Sequence, residues 1–191
     1  MGRKLRVLNE VDETPGNSLV LTIDRDLQQT AEQAMDGHDG SIVALDARTG
    51  EILAMVSRPA FDPNVFARGV KAEEWRALLK DQLRPLNNRA TQGQYPPGST
   101  FKIIMAIAGL EEGVLQPESR ISDPGFYFFG NRQFRDWKKG GHGAVDLHRS
   151  IVISCDTYYY GLAADLGVDA IHNYVGQFGM GQRTGIDLPG E

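Results

Sequence analysis

The sequence is short of several things at once. It holds one cysteine, Cys155, among 191 residues, so no disulfide can form within the chain and cysteine usage leaves the redox compartment open. No apolar run approaches the ~18 residues of a membrane span. The longest, Ile103 to Leu110, suits a buried helix. The opening Met1-Gly2-Arg3-Lys4 lacks the apolar core of a signal peptide. Basic residues are in deficit, 20 Lys and Arg against 25 Asp and Glu, giving a net charge of −5 and a pI near 5.4. That balance argues against a nucleic-acid partner, which favours a basic face. Internal repeats and low-complexity tracts are missing as well. What is present is 41% hydrophobic residues, enough for one domain with its own core, and 22 glycines with 9 prolines, which predict many turns.

The alternation in Ser18 to Ile23 predicts a strand. Asp24 is placed to cap a helix bearing Leu27, Ala31 and Ala34 on one face, with Gly37 closing it. Ser41 to Asp46 and Glu51 to Ser57 flank a glycine-containing turn and predict a hairpin. A short helix is expected over Ala72 to Leu79 and a nearly all-apolar one over Ser99 to Leu110, central to the domain because no face is polar. Residues 114 to 149 read as irregular, and helices follow over Val152 to Leu166 and Val168 to Phe178. The expected architecture is α/β: a sheet-forming part with its helix over residues 8–60 and a mainly helical part over 61–191. Two or three strands make a poor sheet alone, so further strands are expected beyond residue 191.

Chemistry enters at Ser99-Thr100-Phe101-Lys102. Positions i and i+3 share a helix face, so the hydroxyl and the amine can meet. A serine is a weak nucleophile until a base takes its proton, and a lysine serves as that base if its charge is disfavoured. The neighbours Phe101, Ile103, Ile104 and Met105 lead to the expectation of an uncharged amine at Lys102. Pro96-Pro97-Gly98 forms a rigid entry that leaves first-turn N–H groups free for a developing oxyanion. Ser154-Cys155-Asp156, 55 residues on from Ser99, offers a hydroxyl that can relay a proton to a leaving amine and a carboxylate that can bind Lys102. The plainer alternatives are an exposed polar turn for the first group and an ordinary helix cap for the second.

Together these segments resemble the first two of three signatures of the penicillin-recognising serine acyl-transferases, S-x-x-K, S-D-N and K-T-G. Tyr95 to Lys102, Ala54 to Ser57 with Asp62-Pro63-Asn64, and Asn88-Arg89-Ala90 are similar to class B penicillin-binding proteins. Asp136 to Lys139 with Gly141-His142-Gly143, and Thr184 to Leu188, resemble the elongation type, penicillin-binding protein 2. The likeness runs from about Leu8 to the last residue. It departs in two ways: the middle signature ends in Asp156 rather than Asn, and no K-T-G or K-S-G occurs. The resemblance implies a penicillin-binding protein/serine β-lactamase-like fold with an antiparallel sheet and an all-helical subdomain. It also implies a truncated transpeptidase domain, incomplete at the C-terminus, without its membrane anchor, pedestal and K-T-G strand, and weak or inactive by itself.

The implied reaction is acyl transfer between peptidoglycan stem peptides through a Ser99 acyl-enzyme. In it Lys102 is the base, Ser154 the proton donor to the leaving amine, Asp156 the residue that orients Lys102, and the Ser99 N–H an oxyanion donor. β-Lactams would be trapped as slow acyl-enzymes. A membrane glycosyltransferase of the elongation machinery is the implied partner, and the periplasmic side of the inner membrane the implied location. The rivals are a class D-like β-lactamase, a β-lactam sensor domain and a non-catalytic cell-shape scaffold.

No cofactor is expected for catalysis, but Asp123, Asp136, His142 and Cys155 are all metal-capable and lie around the second signature. Asp/His/Cys is a workable tetrahedral zinc set, and a long loop would gain from such a clip. The alternative makes Cys155 a small core residue and Asp123 the start of a turn. Trp137 is expected to pack beneath its loop, and Tyr158-Tyr159-Tyr160 to pack helix against helix.

Overall fold

The computed structural model describes residues 14–190. The start of the expected sheet-forming part, residues 8–13, lies outside the described residues. Backbone contacts divide the chain into two units, Met1–Gly93 and Gln94–Glu191.

In the first unit, helix α1 (Arg25–Ala34) starts where Asp24 accepts the Leu27 amide at 2.9 Å, the cap its position anticipates. Strands β1 (Gly40–Leu45) and β2 (Ile52–Arg58) form the expected antiparallel hairpin, with a register shift between Ala44 and Leu45. Ala31 of α1 packs with Ala54 and Val56 of β2 as a small core. Gln28 joins the two elements, donating to the Met55 carbonyl at 3.0 Å and accepting its amide at 2.8 Å. Short helices α2 (Asn64–Ala67), α3 (Ala72–Lys80) and α4 (Arg89–Gln92) follow.

The strand expected over residues 18–23 does not form. Leu19, Val20 and Leu21 are exposed, and this stretch reaches β2 through Thr22 Oγ1 to the Ile52 carbonyl at 2.6 Å, followed by the Asp24 amide to Leu53 at 2.9 Å. Alternation signals a half-buried strand only where one face finds a core, and here it finds none.

The second unit is built on helix α5 (Phe101–Glu111), preceded by a 3-10 turn over Gly98–Thr100. Ile104, Met105, Ala106, Ala108 and Gly109 are buried, but Ile103 and Leu110 are exposed, so the helix is not enclosed on every face. Gly109 faces the Leu162 side chain, and a Cβ there would stand 2.8 Å from it. That close approach lets α5 pack on the last helix, α7 (Asp156–Gln177).

Residues 114–149 are more ordered than expected. Strands β3 (Ile121–Asp123) and β6 (Gly143–Val145) pair antiparallel, as do β4 (Phe126–Phe129) and β5 (Arg132–Arg135). The second unit is therefore not all-helical. These strands have three or four residues each, too short for alternation to register. Helix α6 (Leu147–Val152), capped by Asp146, leads into a turn at Ser154, whose φ of 53° is unusual for a non-glycine. Helix α7 (Asp156–Gln177) then runs on with an interruption at Gly167, φ 73°, the break expected between two helices. Met105, Leu115, Val145, Cys155, Tyr158, Tyr159 and Leu162 form the core beneath these elements.

Candidate active site

The 3-10 turn presents Ser99 at the surface, and α5 carries Lys102 one turn further on, with its side chain 12% exposed. The turn between α6 and α7 supplies Ser154 and Asp156. Ser154 Oγ lies 2.7 Å from Ser99 Oγ and 3.0 Å from Lys102 Nζ. Lys102 also donates to the Ser154 carbonyl at 2.8 Å and to Asp156 Oδ1 at 2.5 Å. All four residues singled out from the two signatures are thus brought together.

Their order differs from the expected one. The hydroxyl of Ser154 stands between Ser99 and Lys102, so a proton leaving Ser99 has a path to the amine through a second hydroxyl. The Lys102 nitrogen stands within hydrogen-bond reach of three oxygens, two on Ser154 and one on Asp156. The nearest of the three is the Asp156 carboxylate, at 2.5 Å. Sequence neighbours on a helix point away from one another, so Ile103 and Ile104 do not surround the Lys102 nitrogen. Its surroundings come from α7: the Tyr159 ring lies 5.7 Å away, itself held through its hydroxyl by Ser150 at 3.0 Å.

Directly behind the turn, Asp123, Asp136, His142 and Cys155 converge, all buried, with one ligand atom from each within 4.8 Å of the others. His142 Nδ1 lies 2.7 Å from Asp123 Oδ2 and 3.5 Å from Asp136 Oδ1. The Cys155 thiol is 3.5 Å from Asp123 Oδ2. Glycine makes the convergence possible. At Gly141, φ 74°, an added Cβ would sit 2.1 Å from the Asp123 carbonyl oxygen.

Burial alone would push the Asp123 carboxyl up, but donors from Gly125 and His142 outweigh it and hold the group at about 2. Asp136 is lowered likewise: burial opposes, while the Lys138, Thr157 and Asp156 amides prevail. Burial, aided by the two carboxylates, pushes the Cys155 thiol up to about 12. The cluster thus sets two ionised carboxylates and a thiol around a single imidazole. Buried carboxylates are paired with a cation or coordinate a metal.

The cluster and the turn are wired together. Asp136 Oδ2 accepts the amides of Asp156 at 2.7 Å and Thr157 at 3.1 Å, capping the first turn of α7. Trp137 is not packed beneath its loop. It is 64% exposed, with its indole N–H donating to the Ile153 carbonyl at 3.0 Å. Tyr158 and Tyr159 are core residues as expected, but Tyr160 lines a second cavity together with Ser99 and Lys102. Arg149 drew no attention in the sequence, where nothing marks it as near Ser99. Only the fold of α6 brings it to the cleft.

A serine on a helix-opening turn, met by a second serine and a carboxylate from another turn, is the arrangement expected of a serine acyl-transferase. The model of the penicillin binding protein transpeptidase domain matches residues 40–191, and the chain belongs to that family. It is 49% identical over 189 residues to the peptidoglycan D,D-transpeptidase MrdA of Acinetobacter baumannii, covering 98% of this chain and 28% of that protein. Among solved structures, Pseudomonas aeruginosa PBP2 in complex with WCK 5153 superposes with a TM-score of 0.87 at 45% identity, over 93% of this chain and 41% of that one. The complex of PBP2 and MreC from Helicobacter pylori gives 0.83 at 34% identity, over 88% and 32%. The chain therefore spans less than a third of the length of the curated relative.

Proposed function

We propose that this chain is the nucleophile-bearing part of a peptidoglycan D,D-transpeptidase of the elongation type, acylated at Ser99 by stem peptides ending in D-alanyl-D-alanine. The observation that carries this reading is the unbroken hydrogen-bond path Ser99–Ser154–Lys102–Asp156. In the first step the Ser99 oxygen bonds to the carbonyl between the two D-alanines, and its proton passes through Ser154 towards Lys102. This requires the form in which Lys102 has a vacant proton site. The carbon–nitrogen bond to the terminal D-alanine then breaks, and Ser154 returns the proton to the departing amine. The amine of a neighbouring stem peptide resolves the acyl-enzyme by the same steps in reverse. Asp156 holds Lys102 in place, and the Ser99 N–H on the opening turn is an oxyanion donor. β-Lactams present a strained amide to the same serine and remain attached.

We further propose zinc as a structural ion held by Asp123, Asp136, His142 and Cys155. Tetrahedral coordination sets its ligand atoms about 3.4 Å apart. The observed cluster, with contacts from 2.7 to 3.5 Å and all atoms within 4.8 Å, needs little movement to reach that spacing. The ion would supply the charge that the two carboxylates lack, and no proton transfer passes through it.

Among the described residues no helix is long and apolar enough to cross a membrane. The full-length protein is proposed to work in the periplasm on a single inner-membrane anchor, beside a membrane glycosyltransferase. The Helicobacter complex makes MreC a second candidate partner.

The test is mass spectrometry of the full-length protein after benzylpenicillin, with the adduct mapped. A stable adduct on the peptide carrying Ser99 is the expected result. No adduct with Ser99 intact would sink the acyl-transfer reading, and rapid hydrolytic turnover would point to a β-lactamase instead.

A further inference from the structure

A cavity of about 740 Å³ opens beside Ser99 and Ser154, with Trp137, Lys138 and Arg149 in its lining. The hydrogen-bond path described above uses none of these three. Trp137 shows 64% of its surface yet is fastened at two points. Its N–H is bonded to the Ile153 carbonyl at 3.0 Å, and its ring lies against His142 with centroids 5.2 Å apart. An exposed indole of this kind, held still beside a nucleophile, is a ready-made apolar wall.

The charge at the cavity is also unusual. The chain as a whole carries −5, but this lining holds two exposed cations, Lys138 and Arg149, against one carboxylate, Asp156. That carboxylate is already met from outside the lining by Lys102 at 2.5 Å. That leaves Lys138 and Arg149 as the excess. Their backbones are fixed: the Lys138 amide donates to Asp136 at 2.9 Å and the Arg149 amide to Asp146 at 2.9 Å. The Arg149 guanidinium makes a long bond of 3.4 Å to the His142 carbonyl, which leaves most of its donors turned to solvent.

We infer that this cavity is a subsite for a carboxylate-bearing side chain of the peptide undergoing acyl transfer. The aliphatic part of that side chain lies on the Trp137 ring, and its carboxylate meets Lys138 and Arg149. The inference rests on the acyl-transfer reading and adds a substrate feature to it. A locally cationic cleft in an acidic protein also draws such a ligand in from solution.

The test uses the full-length protein and two synthetic D-alanyl-D-alanine peptides that differ at one point, a side chain ending in a carboxylate or in the matching carboxamide. D-Alanine release gives kcat/KM for each, and their ratio within one variant cancels any general loss of activity. The acid is expected to be preferred by about tenfold, as one salt-linked contact implies. Lys138→Ala with Arg149→Ala is expected to abolish the preference, and Arg149→Lys to restore part of it. Raising the salt concentration should erode it further. Equal kcat/KM for the two peptides, in protein that benzylpenicillin still acylates at Ser99, overturns the subsite alone. Absence of benzylpenicillin acylation in the unaltered protein overturns both the subsite and the reading on which it stands.

Discussion

Asp136 Oδ2 lies 2.7 Å from the amide nitrogen of Asp156, joining the buried carboxylate cluster to the turn that carries Ser154. The same oxygen takes the Thr157 amide at 3.1 Å, so one ionised side chain sets both the start of α7 and the position of the Lys102 partner. Cys155, between Ser154 and Asp156 in sequence, is buried in the same cluster. Geometry at the surface is thereby governed from beneath.

Asp136→Asn keeps the shape but offers one acceptor oxygen without charge. The Asp156 turn should relax, and benzylpenicillin acylation should slow by about tenfold to a hundredfold, since small misplacements at a reacting centre cost that much. Stopped-flow acylation compared with the melting temperature checks this. A lower melting temperature with unchanged acylation would make Asp136 a purely structural residue.

Ser154→Ala cuts the path between Ser99 and Lys102 while leaving the turn backbone in place. Loss of a proton-relay group should lower the acylation rate by about a hundredfold or more. Unfolding free energy should move by no more than about 1 kcal/mol, the usual worth of a partly exposed hydroxyl bond. Acylation rates alongside urea unfolding measure the two effects. Near-normal acylation would show that Ser99 reaches Lys102 without the second hydroxyl.

Gly141 and Gly130 make a matched pair for the loop that builds the cluster. Both have positive φ, 74° and 60°, so alanine at either pays a similar conformational cost of about 1 kcal/mol. Only at Gly141 does the added Cβ meet backbone, 2.1 Å from the Asp123 carbonyl and 2.3 Å from the Gly125 amide; at Gly130 it meets open space. Gly130→Ala should be mild. Gly141→Ala should cost about 3 kcal/mol or more, because two backbones must separate. Equal losses in thermal unfolding would remove the close approach as the reason for glycine at 141.

Protein purified without chelator or nickel resin should contain about one zinc per chain by elemental analysis, as a four-ligand site requires, and Cys155→Ser should lose most of it. The thiol sits at about 12 in the metal-free cluster, so coordination must displace its proton. Zinc affinity should therefore rise with pH, by about tenfold per unit from this group, with proton release visible in a weakly buffered titration. The Asp123 carboxyl, held at about 2, contributes stability that is present above its unfolded value near 3.8 and lost as pH falls through 2. Metal-free protein should accordingly weaken over that acid window, and Asp123→Asn should flatten the dependence. Zinc content far below one per chain, unchanged in Cys155→Ser, would dispose of the metal.

Much of the site was legible in the amino-acid order because its logic is local. Ser99 and Lys102 are one helical turn apart, Pro-Pro-Gly announces the turn before them, and Ser154 with Asp156 stands at a helix start. The metal-capable residues could be chosen for their chemistry alone. The strand expected over residues 18–23 fails for the opposite reason: alternation is a claim about a partner surface, and a partner is not encoded in six residues.

By itself, then, the sequence determined which turn holds Ser99 and which helix carries Lys102, since periodicity and capping act within a few residues. The tertiary structure alone decided that Ser154 stands between Ser99 and Lys102, that Asp156 meets the Lys102 nitrogen, and that Trp137 and Arg149 share one cleft. Those facts depend on groups 12 to 55 positions apart meeting in space, and such meetings are set by how α5, α6 and α7 pack rather than by any local preference of the chain.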